Sequence, residues 1–193
     1  MEEKFAYVEG AEQPISMHPK KFALWLFIVS VVMIFASLTS AYIVRQAEGN
    51  WLEFELPSIF WYTSIIIVLS SVTLHVAYQA AKKDDFQKLK GGMFLTVLLG
   101  LVFLVCQWYS WVALVDRDVY FVGNPAGSFL YVFTGLHAIH LISGVIFLII
   151  VLISSFRYKV HSKNMNAMEM CVTYWHFLGG LWLYLFMFLL LNH

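Results

Sequence analysis

Met168-Glu169-Met170-Cys171-Val172-Thr173-Tyr174-Trp175-His176-Phe177 opens the last hydrophobic run of the chain, and its reading decides the fold. From Met170 to Leu191 there is no Asp, Glu, Lys or Arg. That run exceeds the roughly 20 residues a helix needs to cross the hydrocarbon core of a bilayer. Glu169, Thr173, His176 and Gly180 recur at offsets of four, seven and eleven, so they share one helical stripe in an otherwise apolar run. Buried polarity in a helix of this length is costly, and it faces protein, water or a ligand.

Four more apolar runs precede it, Phe22–Val44, Ile59–Ala81, Met93–Val115 and Ser128–Phe156, none of which contains a charged residue. The runs are continuous and do not alternate at period two, which selects helices over a barrel. The expected fold is therefore an all-α membrane protein, five transmembrane helices in an antiparallel bundle. A tail over residues 1–21 precedes a transmembrane domain over residues 22–193. The composition agrees: 61% of residues are hydrophobic and only 12% charged, against about 25% charged in soluble domains. A net charge of zero gives no indication of nucleic acid binding. Residues 1–19 are polar and the run from Phe22 is too long for a signal-peptide core, so insertion by the first helix itself is expected.

Orientation follows from the cations. All but two of the 12 lysines and arginines fall on one side: Lys4, Lys20, Lys21, Lys82, Lys83, Lys88, Lys90, Arg157, Lys159 and Lys163. Arg45 and Arg117 fall on the other, which places the N-terminus in the cytoplasm and the C-terminus, Asn192-His193, outside. The same outer side collects Trp51, Trp61, Tyr62, Trp108, Tyr109, Trp111 and Tyr120, as an interfacial aromatic belt does. Loops of roughly 11 to 14 residues are expected, with Pro57-Ser58 opening the second helix and Gly127-Ser128 the fourth.

Chemistry-bearing residues are few. His137 and His140 stand three apart on the fourth run, between Gly135 and Gly144. Both axial ligands of one haem come from opposite sides of the iron, so haem ligation would need His75 or His176 as a partner on another helix. The competing reading is hydrogen bonding between helices that the small residues bring close. No HExxH pattern or thiolate pair marks a zinc site. Cys106 and Cys171 read as small buried hydrophobes. Ser70-Ser71 and Ser154-Ser155 lack nucleophile-elbow surroundings and are expected to bond back to helix carbonyls. Gln107 and Tyr109 near the end of the third run suit an interfacial belt with an interhelical amide bond. Lys82-Lys83-Asp84-Asp85 reads as a solvated loop, with Lys88 and Lys90 able to attract anionic headgroups.

These residues together resemble subunit III of haem-copper terminal oxidases, the cytochrome c and quinol oxidases. Thr134-Gly135-Leu136-His137-Ala138-Ile139-His140 is similar to the family's G-x-H-x-x-H run. Glu169 through Tyr174-Trp175-His176-Phe177 resembles its E-x-x-x-x-Y-W-H-F block, followed by Leu181-Trp182-Leu183. Gln107-Trp108-Tyr109 resembles its Q-x-Y, and Tyr42 to Arg45 the end of its first shared helix. The length is similar to the short five-helix bacterial form. The resemblance implies a non-catalytic subunit of the bacterial inner membrane that holds no haem or copper. It also implies packing against the catalytic subunit I and other oxidase subunits, bound phospholipid, and support of dioxygen reduction and proton translocation. A larger respiratory supercomplex extends the same expectation. His137, His140, Glu169, Thr173, His176, Gln107 and Tyr109 are then an intramembrane polar seam with structural or lipid-contact roles. Two positions depart from the family's pattern: Val31 stands where an acid commonly follows the serine, and Ser110 where a glutamate often follows the tyrosine.

Overall fold

The computed structural model describes residues 18–52, 56–157 and 165–192. Five helices are found among them: α1 (Pro19–Ala47), α2 (Ile59–Lys82), α3 (Phe86–Val115), α4 (Pro125–Phe156) and α5 (Asn166–Asn192). No strand occurs among the described residues. All five are long and apolar enough to cross a membrane. Lys4, Lys159, Lys163, His193 and the tail before His18 lie outside the described residues.

Four helix starts differ from the apolar runs, and at three of them the helix continues into a polar turn that holds a capping side chain. His18 Nδ1 accepts from the Lys20 amide, and Pro19 follows at the first helical position, so residues expected in the tail belong to α1. Asp85 caps α3 by accepting from the Lys88 amide at 3.2 Å, so the helix starts at Phe86, seven residues before the run at Met93. Asn124 accepts from the Ala126 amide at 2.9 Å and Pro125 starts α4, which displaces the expected Gly127-Ser128 start. The fourth, α5, opens at Asn166 rather than Met170. Ser58 does precede α2, but without a side-chain cap bond. The connections are accordingly shorter than expected, at 48–58, 83–85, 116–124 and 157–165. The tightest, between α2 and α3, turns through Asp84 at φ 53°, a left-handed conformation that Asp tolerates.

Helices α2, α3, α4 and α5 pack in a closed ring, each touching its sequence neighbour and α5 returning to α2; α1 lies outside the ring against α4 and α5. One core cluster fills the ring, built from residues such as Ile67, Leu74, Met93, Phe103, Leu141, Leu148 and Trp175. A second joins α1 to α4 and α5 through Val31, Phe35, Tyr42, Phe133 and Leu185. Large apolar side chains also cover the outer surface, among them Trp25, Met33, Phe94, Ile139 and Met187. That all-round apolarity is the pattern of helices solvated by lipid. Of the expected belt, Trp61, Tyr62, Trp108, Tyr109 and Tyr120 are exposed, while Trp51 and Trp111 are half-buried.

Candidate functional site

The inner face of α5 is built on two tryptophans seven residues apart. Trp175 Nε1 donates to Ser70 Oγ of α2 at 3.0 Å, and Trp182 Nε1 donates to Ser64 Oγ at 3.1 Å. Trp175 fits because α3 and α4 present glycine to its ring. A Cβ on Gly100 would stand 2.8 Å from Trp175 Cη2, and one on Gly144 would stand 3.2 Å from Trp175 Cε3. Two turns further along α5, Trp182 packs edge-on against Phe103 with ring centroids 5.0 Å apart, and tilted against Phe60 at 5.7 Å. Trp175 of the quoted block is thus a wedge that closes the ring.

The stripe of Glu169, Thr173, His176 and Gly180 lies on the outer face of α5, half-buried to exposed, between α1 and α2. Lys21 Nζ of α1 donates to Glu169 Oε2. Thr173 Oγ1 donates to the Glu169 carbonyl at 2.9 Å. His176 faces His75 of α2, their ring centroids 6.3 Å apart. Both line an apolar groove of about 480 Å3 with Ser71, Gly179, Gly180 and Leu183.

The remaining seam residues fall elsewhere. His140 sits on the α1 side, with Nδ1 2.7 Å from the Leu136 carbonyl and its ring between Phe27 and Phe35 at 6.2 and 5.9 Å. Beside it, Tyr174 Oη and Ser143 Oγ are 2.7 Å apart. Val31 is one turn from both phenylalanines and is buried on the stripe that faces His140. His137 and Gln107 lie in the ring core. Tyr109 is exposed, on the opposite side of α3 from Gln107. The seven residues therefore fall in four separate places: the outer face of α5, the α1 side of α4, the ring core and the exposed side of α3.

Ser154 Oγ donates to the Ile150 carbonyl on its own helix, as expected. Ser70 instead reaches across, donating to the Thr96 carbonyl of α3 at 3.4 Å while accepting from Trp175. Cys106 and Cys171 are free thiols, the first half-buried and the second buried. Among the described residues no group of three or more His, Cys, Asp or Glu side chains could hold a metal ion. The rings of His137 pack on Phe103 and Trp182, and those of His140 on Phe27 and Phe35. His75 and His176 instead face each other, with ring centroids 6.3 Å apart. Sequence reasoning missed the serines that receive the tryptophans and the Lys21 partner of Glu169. The seven-residue repeat of Trp175 and Trp182 beside the six-residue repeat of Ser64 and Ser70 was the available signal.

A helical bundle with an apolar outer surface, whose inward polar groups largely join helix to helix, defines a multi-pass membrane protein. The family model for cytochrome c oxidase subunit III matches residues 3–192, and the chain belongs to that family. It is 31% identical over 169 residues to Cytochrome c oxidase subunit 3 of Corynebacterium diphtheriae, covering 83% of this chain and 82% of that one. It is 32% identical over 173 residues to Probable cytochrome c oxidase subunit 3 of Nocardia farcinica, covering 84% and 82%. Probable quinol oxidase subunit 3 of Staphylococcus saprophyticus is 26% identical over 172 residues, with 86% and 85% covered. The family expected from the Glu169-to-Phe177 block is the one found.

Proposed function

We propose that this chain is the non-catalytic membrane subunit of a haem-copper terminal oxidase, packed against the catalytic subunit and supporting its dioxygen reduction and proton translocation. The observation that carries this reading is the use made of the family block. Tyr174 and Trp175 turn inward to bond Ser143 and Ser70, so the motif serves packing. No pair of side chains in it is arranged as nucleophile and base. The chain sits in the bacterial inner membrane with its lysine-rich end in the cytoplasm and its aromatic end outside, following the charge asymmetry. Haem and copper belong to the partner subunits.

Phospholipid fits the outer face. Grooves of about 480 Å3 beside His176 and about 400 Å3 beside Phe177 and Tyr184 flank α5 and suit acyl chains. The seam residues Glu169, Thr173 and His176 border this face as helix and lipid contacts. Affinity purification of the tagged chain from its native membranes, with mass spectrometry of what accompanies it, tests the reading. A haem-copper catalytic subunit and phospholipid are the expected companions; an unrelated transporter in their place would contradict it.

A further inference from the structure

His140 and His137 stand one turn apart, yet only the first has a hydrogen-bond partner among the described residues. Both ring nitrogens of His137 and both side-chain polar atoms of Gln107 are buried with no partner among the described residues. His137 is 0% exposed and Gln107 1%. Single orphaned atoms also occur at Trp51 and Ser155. Only Gln107 and His137 combine as two whole side chains on adjoining helices.

Their register brings them together. Trp111 Nε1 of α3 donates to Thr134 Oγ1 of α4 at 3.0 Å, and Phe103 packs edge-on against His137 with centroids 6.0 Å apart. Gln107 stands one turn from Trp111 and one turn from Phe103 on the same buried face of α3, between these two rungs. Trp182 covers the imidazole from α5 at 5.2 Å.

Neighbouring groups have already committed their protons. Trp182 donates to Ser64, Thr134 to the Leu130 carbonyl and Ser110 to the Cys106 carbonyl. A buried amide and imidazole in a lipid-solvated bundle are costly unless satisfied. The apolar spans supply no charge here, so a small neutral molecule that both donates and accepts would satisfy both side chains. We propose that Gln107 and His137 form an internal water site at the centre of the α2–α5 ring, sealed by Phe103 and Trp182. Water meets the requirement because it bridges two to four buried polar groups. The bound water fixes the side-chain orientations and ties α3 to α4 below the Trp111–Thr134 rung. This inference is independent of the oxidase reading.

A cryo-electron microscopy map of the full chain in its native complex, at a resolution that shows ordered water, is the test. The site predicts a peak about 3 Å from both the Gln107 amide and a His137 ring nitrogen. A dry contact, with the two side chains bonded directly to each other or turned to backbone carbonyls, would overturn it. Variants of the full chain give a second reading. Gln107→Leu and His137→Leu should each lower the thermal midpoint by several degrees by stranding the other side chain. The double variant should lose clearly less than the sum, because no polar group remains to hydrate. Additive losses would count against the site.

Discussion

Trp175 of α5 and Ser70 of α2 are joined at 3.0 Å where the ring closes, 105 residues apart in sequence, with the indole lodged against Gly100. Ser70→Ala would leave the indole N–H buried without an acceptor. The expected cost is about 1–3 kcal/mol, read as a lower thermal midpoint of the purified chain. Ser64→Ala should behave alike at Trp182, and the two losses should add, because the rungs share no partner.

Gly100 is the back wall of that slot. A methyl group there meets the rigid indole at 2.8 Å, so Gly100→Ala should cost about 1–3 kcal/mol by overpacking. Gly180→Ala is the matched control. Nothing lies within 4 Å of a Cβ at Gly180, and the better helix former should leave stability unchanged or raise it by up to about 1 kcal/mol. Equal losses at the two glycines in a thermal melt would refute the slot.

Lys21 and Glu169 tie α1 to α5 at the end of the bundle, each about one-third exposed. Screening by water limits such a pair to less than about 1 kcal/mol. Lys21→Met and Glu169→Gln should therefore destabilise slightly, and the double variant should match either single one. The coupling in this cycle should shrink when salt is raised.

Val31 shares its stripe with Phe27 and Phe35, which bracket His140. Val31→Glu would place a carboxyl in an apolar span, at a cost of about 3 kcal/mol if it stays charged and alone. With His140 opposite, the loss should be smaller than in a His140→Leu background. The same penalty in both backgrounds, measured by thermal unfolding, would show that residue 31 does not face the imidazole.

Asp85 starts α3 and is held below the usual carboxylate range by its side-chain bond with Lys88, then by the Lys88 amide. A depressed carboxylate stabilises the fold above its unfolded value and loses that contribution as pH falls through the lower folded value. Acidification below the ordinary aspartate range should therefore fray the α2–α3 turn. Asp85→Asn should keep the cap and remove this pH dependence, as hydrogen exchange at the α3 amides would reveal.

Much of this architecture was legible because lipid imposes a simple rule. Long runs without charge have to be helices, and all five runs became helices. Their ends were less legible, since Asp85, Asn124 and His18 cap helices within polar segments that hydropathy ignores. The stripe on α5 lies on one half-buried to exposed face, and periodicity does not tell inside from outside when both are apolar. The face turned inward carries Trp175 and Trp182, while Glu169 and His176 look outward. Nor does spacing along one helix reveal cross-helix register. Gln107 and Tyr109 are close in sequence yet lie on opposite sides of α3, and His137 and His140, one turn apart, face different neighbours.

The central claim is that the chain serves an oxidase without holding its redox groups. Its most direct test is the absorption spectrum of the chain after dissociation from the purified complex, beside that of the remaining subunits. All haem absorbance should stay with the partner subunits, and His75→Ala or His176→Ala should leave the spectrum of the complex unchanged. A Soret band that travels with the isolated chain and vanishes in either variant would contradict the account.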